Sequence, residues 1–389
     1  MLPDKLKKKL EHRSANQSLR NLGSTNNLID FSSNDYLGFS KDETIFQRAH
    51  NYLIEKDLLI NGAKGSRLLS GNHVLYPEVE KQIADFHSAE SALIFNSGYD
   101  ANLGFFSCIP QRNDIIFYDE LCHASIRDGV SMSNSKAYKF THNDLSELSA
   151  KIQQTKQNLI KDAEIYIITE SVFSMDGDTP ELKTLSTICQ QNDAKLIIDE
   201  AHAVGVFGEN GQGLINHLKL EASTFARLVT FGKALGAHGA AILGSSELKQ
   251  YLINFSRPLI YTTGLPPYNL ATIKIAYDQL NSKVQDKVYE VEKLRFNIQC
   301  FQSEIKRLQL NQFIDSDSAI QSCIIAGNSK VKKISERLKQ KGYDVKPILS
   351  PTVPLGKERL RFCLHSFNSK KQISDVLQSL AIFVKDANI

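Results

Sequence analysis

The sequence predicts an α/β protein with a mostly parallel sheet, and three observations carry that prediction. Short apolar runs rich in β-branched residues recur from about residue 91 to 244. They are apolar at nearly every position, as strands covered on both faces are. Stretches of helical periodicity separate them, as crossovers between parallel strands require.

In chain order, residues 1 to about 20 read as a charged amphipathic helix. "LIDFSSNDYLGFS" (28–40) reads as a short extended stretch with a turn at Asn34-Asp35. The strands of the main sheet are "SALIF" (91–95), "DIIFYD" (114–119), "EIYIITE" (164–170), "KLIIDE" (195–200), "RLVTF" (227–231) and "GAAILG" (239–244). Pro266 and Pro267 mark a break and open a long helix through about 306, since proline suits a first helical turn. After it, "AIQSCIIAG", "YDVKPILSPTVP" and "RLRFCLHS" alternate with helical patterns. The organisation expected is an N-terminal helix and extended segment (1–45), a large domain with a trailing helix (46–290) and a small C-terminal α/β domain (291–389).

The charge balance narrows the function. Lysine and arginine number 46 against 43 acidic residues, a net charge of +3, too even for an electrostatic nucleic-acid binder. Six cysteines are scattered with no CxxC pair, so neither a zinc ribbon nor a thioredoxin-type site is supported and no metal is expected. "MLPDKLKKKLEHRS" lacks the apolar centre of a secretory signal, and no apolar run is long enough to span a bilayer. A cytoplasmic protein with neither nucleic-acid nor membrane partners is expected.

Asp199, Glu200, Ala201 and His202 spell the DEAH box of a class of RNA helicases. Such motors need a GxxxxGK[ST] phosphate loop. The nearest stretches, "GAKGSR" (62–67) and "FGKALG" (231–236), do not supply one: Ala234 stands where a hydroxyl must hold magnesium. A different chemistry suits these residues better. Asp199 ends an apolar strand, where α/β sheets place ligand groups. Lys233 sits among Gly232, Ala234 and Gly236, which leave room beside an amine able to form a Schiff base. A lysine and an aspartate on separate strand ends is the arrangement that pyridoxal 5'-phosphate (PLP) requires. "FNSGYDANLG" (95–104) follows a strand and opens a helix at Ser97-Gly98, a ready anion site for a phosphate. Thr230 can add a hydroxyl, and the ring of His123, just past another strand end, can stack on a pyridine. Taken singly, the lysine reads as a solvated loop residue, the aspartate as a helix cap and the histidine as structural; taken together, they point to the cofactor.

Nine segments, "FSSNDYLGFS", "GAKGSRLLSGNHVLYPEVE", "NSGYDANLG", "DELCHASIRDG", "ESVFSMDGDTPEL", "IDEAHAVGVFGENGQG", "TFGKALGAHGAAILG", "RPLIYTTGLPP" and "SPTVPLGKERLRF", run in order from about residue 30 to 366. Together they resemble the α-oxoamine synthases, a subfamily of fold-type I PLP-dependent transferases. The resemblance implies a large domain with a mostly parallel central sheet and a smaller C-terminal α/β domain. It implies Lys233, His123, Asp199 and His202 as the catalytic set. Lys233 would carry the cofactor and then act as acid and base, and Asp199 would pair with the ring nitrogen. His202 would bond the phenolic oxygen, His123 would stack on the ring, and Ser174 would also reach the cofactor. Gly98, Tyr99 and Thr230 would hold the phosphate, while Thr263 would reach the phosphate of a neighbouring subunit in a homodimer. Arg361 would clamp the amino-acid carboxylate, with Asn34 and Arg20 on the substrate side.

The activity so implied is a decarboxylative Claisen condensation of an amino acid with an acyl thioester, carried by coenzyme A (CoA) or acyl carrier protein. Members pair alanine with a pimeloyl thioester, glycine with acetyl-CoA, or serine with a long acyl chain. "SSNDYLG", "YTTGLPP" and "PTVPLGKERLR" look most like the alanine and pimeloyl branch. One feature departs from it: Leu349 and Ser350 stand where many members have an arginine, so any contact which that arginine makes is either absent here or supplied elsewhere, with Lys346 the nearest candidate.

Overall fold

A computed structural model describes residues 2–16, 18–20, 22, 27–281 and 290–386. The chain forms two compact units, one of Met1–Asn34, Ser174–Asp178 and Glu292–Ile389, the other of Asp35–Phe173 and Thr179–Val291. The N-terminal segment thus groups with the C-terminal residues instead of standing apart as 1–45. The Ser174–Asp178 loop joins that smaller unit, which no linear division of the chain could show.

The larger unit is built on seven strands: β1 (Ser91–Phe95), β2 (Ile115–Asp119), β3 (Lys136–Phe140), β4 (Ile165–Glu170), β5 (Lys195–Asp199), β6 (Ala226–Thr230) and β7 (Ala240–Gly244). Their order is β1-β7-β6-β5-β4-β2-β3. Only β7 runs against its neighbours, pairing Ala240 with both Phe95 and Thr230; the other pairs are parallel. Six strand ends, at Phe95, Asp119, Phe140, Glu170, Asp199 and Thr230, therefore lie along one edge of the sheet. Strand β3 was not expected. Its "KAYKF" carries two lysines and is exposed at four of five positions, the polar pattern of a protected sheet edge.

The core of this unit packs Ile116, Ile168 and Ile197 with Phe105 and Ile126 from flanking helices. Burying each such side chain contributes about 1.5–3 kcal/mol. The helices Gly98–Phe106 and Ala124–Met132 approach closely because Gly129 is bare: a Cβ there would lie 2.8 Å from the Asn102 carbonyl oxygen. Helices span Pro267–Asn281 and Glu290–Arg307; the expected continuity between them falls at 282–289, outside the described residues.

In the smaller unit, β8 (Ile320–Ile324), β9 (Lys346–Ile348) and β10 (Arg359–Cys363) form an antiparallel sheet of order β9-β10-β8. Ile29–Asp30 pairs in parallel with Tyr343–Asp344. Phe301 and Phe313 close on Phe362 at ring separations of 5.5 and 5.9 Å. The N-terminal helix, Asp4–Ala15, buries none of its side chains.

Candidate active site

The sheet edge collects several buried polar side chains. Asp199 ends β5 and is buried. Its Oδ1 accepts from the Ala201 N–H at 2.9 Å and its Oδ2 from Asn102 Nδ2 at 2.9 Å, so each oxygen has the donor that burial demands. Lys233 lies in the turn between β6 and β7, where Gly236 adopts φ +59° and a Cβ would meet Ser40 N at 2.2 Å. His202 stands between two partners: Nδ1 lies 2.7 Å from Tyr36 Oη and Nε2 lies 2.8 Å from Lys233 Nζ.

His123 caps the helix Ala124–Met132. Its Nδ1 lies 2.7 Å from Ser125 Oγ and accepts from the Ser125 N–H at 3.2 Å. Nδ1 is thus an acceptor, which leaves the proton of the neutral ring on Nε2. Burial, and then the nearby Lys233 amine, hold this imidazole below its ordinary pKa against the opposing pull of Asp199. Asn102 Nδ2 also donates to Ser125 Oγ at 3.0 Å, so one amide links Asp199 to the His123 cap. Glu170 ends β4, fully enclosed, and accepts from the His123 N–H at 2.6 Å. Burial, and then the Asp199 charge, push its carboxyl up to about 8.

The phosphate candidates also meet. Ser97 caps the helix Gly98–Phe106 and accepts from the Asp100 N–H at 3.0 Å. A Cβ added at Gly98 would sit 3.8 Å from Thr230 Oγ1, so the helix start and the hydroxyl face the same space. Tyr99 turns its exposed ring to donate a hydrogen bond to Asp128; only its backbone N–H remains near the helix start. Thr263 has an exposed side chain, bridges Ser66 and accepts from Asn96 Nδ2 at 2.6 Å through its carbonyl.

The remaining candidates belong to the smaller unit. Arg361, on β10, is buried and donates from Nη2 to Asn34 Oδ1 at 3.0 Å. Its Nε is enclosed with no hydrogen-bond partner, a donor ready for an anion. Ser174 opens a loop clamped from behind: Ser322 Oγ donates to the Met175 carbonyl at 2.7 Å, and Arg359 pairs with Asp176. Arg20 is exposed, with Nη2 3.4 Å from Thr352 Oγ1. Lys346 is paired to Asp344 at 2.8 Å and so is already engaged as a cation.

An amine, a carboxylate with hydrogen-bond support, an imidazole held neutral and a helix start beside a hydroxyl are the donor set that suits PLP. Four contributors escaped the sequence reading: Tyr36, Asn102, Ser125 and Glu170. All lie inside the segments quoted above; Glu170 alone carries a local signal, as a polar residue that ends an apolar run. Among the described residues no group of three His, Cys, Asp or Glu side chains could hold a metal, and no helix is long and apolar enough to cross a membrane.

Residues 26–380 match the family model for aminotransferase class I and II. An 8-amino-7-oxononanoate synthase of Emericella nidulans is 39% identical over 371 residues, covering 92% of this chain and 89% of the relative. A crystal structure of 8-amino-7-oxononanoate synthase from Francisella tularensis is 30% identical, with a TM-score of 0.77 over 93% of this chain and 99% of that one. A high-resolution structure of SPT with PLP is 26% identical, with a TM-score of 0.85 over 93% of this chain and 88% of that one. The chain belongs to the aminotransferase class I and II family and, within it, to the α-oxoamine synthases.

Proposed function

We propose that this chain is a PLP-dependent acyltransferase that joins L-alanine to a pimeloyl thioester, releasing carbon dioxide and free thiol and giving 8-amino-7-oxononanoate for biotin synthesis. The meeting of Lys233, His202, Asp199 and His123 at one sheet edge carries this reading. Relatives bearing the same activity in their names, at 34–39% identity, support it.

Lys233 would hold PLP, with Asp199 at the ring nitrogen, His202 at the phenolic oxygen, His123 on the ring face and Ser174 also in reach. The Gly98 and Tyr99 N–H groups with Thr230 would take the phosphate. Bound there, PLP supplies the electron sink that makes the α-carbon of an amino acid acidic. Lys233 Nζ is the base that removes the α-proton and later returns one. His202 Nε2, 2.8 Å away, holds that amine in place. Arg361 clamps the amino-acid carboxylate with Nε and its outer nitrogens, steadied by Asn34, and such paired charge-assisted bonds orient the α-carbon. Arg20 stands on the acyl side. Thr263 reaches the phosphate of a second copy, so the working unit is a homodimer, and sedimentation as a monomer at catalytic concentrations would refute this part. We place the protein in the cytoplasm.

Thiol release is the test, with alanine, glycine and serine each crossed against pimeloyl-, acetyl- and palmitoyl-CoA. Release only with alanine and pimeloyl-CoA is expected. The glycine and acetyl-CoA pair, or serine with a long chain, is the second reading; Leu349 and Ser350, in place of the branch's usual arginine, are what favour it. Lys233→Ala should abolish both turnover and the covalent absorbance of the cofactor; an active variant sinks the assignment.

A further inference from the structure

The N-terminal helix and the 350–355 segment of the smaller unit enclose a cleft of about 720 Å³, within the ~300–1,000 Å³ typical of small-molecule sites. Four of its ten lining residues are Lys8, Lys9, His12 and Arg13, and none is acidic. Positions 8, 9, 12 and 13 fall on one face of an α-helix, so the charged Lys8, Lys9 and Arg13 are presented together with the His12 imidazole. Lys7 pairs with Asp4 at 3.3 Å; among the described residues Lys8, Lys9 and Arg13 have no such carboxylate partner. The chain's charges otherwise nearly cancel, so this concentration of one sign is local.

The cleft also has fixed walls. Asn328 donates from Nδ2 to the carbonyls of Asn16 and Ser350 at 3.3 and 3.4 Å, and its Oδ1 accepts from the Ser350 N–H at 3.0 Å. One side chain thereby ties the end of the helix to the facing segment. Pro351 and Leu355, the latter 85% exposed, also line the cleft. Apolar and basic side chains lining one cleft suit a ligand with a flat apolar body and several negative charges.

We propose that this cleft binds the phosphoadenosine end of a coenzyme A thioester. Phosphates lie on Lys8, Lys9, His12 and Arg13, and the base lies against Pro351 and Leu355. The assignment rests on the acyl-thioester reading above and chooses between its two donors. A recess of this size has room for a nucleotide, whereas an acidic carrier protein needs a broader basic surface than four side chains on one helix provide. Binding a part of the substrate remote from the bond being made also lets that energy position the thioester.

Calorimetry of the PLP-loaded protein with adenosine 3′,5′-bisphosphate tests the site directly. Lys9→Glu/Arg13→Glu should weaken binding roughly tenfold or more, since each phosphate bond so removed is a charge-assisted hydrogen bond. Lys5→Glu/Lys7→Glu makes the same charge change on the same helix outside the cleft and should leave the dissociation constant within about twofold, as expected for solvent-screened charges. Absence of binding to the wild type, or equal weakening in both variants, overturns the proposal. So does a rise in KM for an acyl carrier protein donor without one for acyl-CoA, which would give this face to the carrier. The reaction reading is checked separately by the cofactor absorbance change on adding alanine. Its failure leaves the nucleotide titration unaffected, so the two can fail independently.

Discussion

His202 is held at both ring nitrogens, one beside Tyr36 and the other beside Lys233. A neutral imidazole donates from one nitrogen and accepts at the other. If the Tyr36 hydroxyl donates to Nδ1, Nε2 keeps the proton and can donate toward the cofactor's phenolic oxygen. Tyr36 is wholly buried, so Tyr36→Phe removes the hydroxyl while retaining the packed ring. We expect the variant to lose about 1–2 kcal/mol of stability, to shift the ¹⁵N resonances of one histidine and to bind PLP more weakly. Unchanged histidine resonances would show that Tyr36 only packs. Arg361 makes a sharper case, because its Nε is enclosed and unpartnered. Arg361→Ala should raise the KM for alanine about a hundredfold, the effect expected of removing a bidentate charge-assisted pair, while PLP affinity stays unchanged. Equal losses of both would make Arg361 a structural residue.

Among elements, the pair of helices after β1 and β2 transmits packing into the site. Asn102 sits on the first and Ser125 on the second, and both reach the Asp199 and His123 network. Gly129 lets the helices approach. A methyl there would press on the Asn102 carbonyl at 2.8 Å and on Phe106 Cβ at 3.0 Å. Gly129→Ala should therefore cost about 1–3 kcal/mol, as overpacking does. It should also loosen the Asn102 hold on Asp199, read as weaker PLP binding out of proportion to the drop in melting temperature. The same elements show what the chain's letters reveal. Strands such as "KLIIDE" and "GAAILG" were legible because burial on both faces writes a continuous apolar run. The edge strand β3 was not, since its side chains face water. Lys233, Asp199, His123 and His202 stood out through their small neighbours and strand-end positions. Asn102 did not: its partner Asp199 lies 97 residues away, and no local spacing encodes a contact made only by sheet order.

Two ionisable groups that the fold encloses completely, His87 and Glu170, make opposite contributions to the pH dependence of the molecule's stability. His87, bonded to the Gln212 carbonyl and to Tyr277, is held down to about 3, first by burial and then by Arg227. Its unfolded counterpart protonates near 6.5, so the unfolded chain binds more protons between those values. Stability from this group is present above pH 6.5 and is lost as pH falls toward 3. Glu170 has the opposite sign. Its carboxyl titrates near 8 in the fold against 4.5 when unfolded, so the native state holds the extra proton. That contribution is intact below pH 4.5 and is lost as pH rises toward 8, at up to about 1.4 kcal/mol per pH unit. Between 4.5 and 6.5 the two slopes oppose each other; above 6.5, of these two, Glu170 acts alone. Glu170→Gln copies the protonated acid without its titration, so in cofactor-free protein the variant's advantage in melting temperature over the wild type should be small at pH 5 and grow steadily from pH 6.5 to 8. A difference that stays flat across that range would mean that Glu170 is ionised in the native state, with the Asp199 and His123 cluster carrying two buried negative charges at neutral pH.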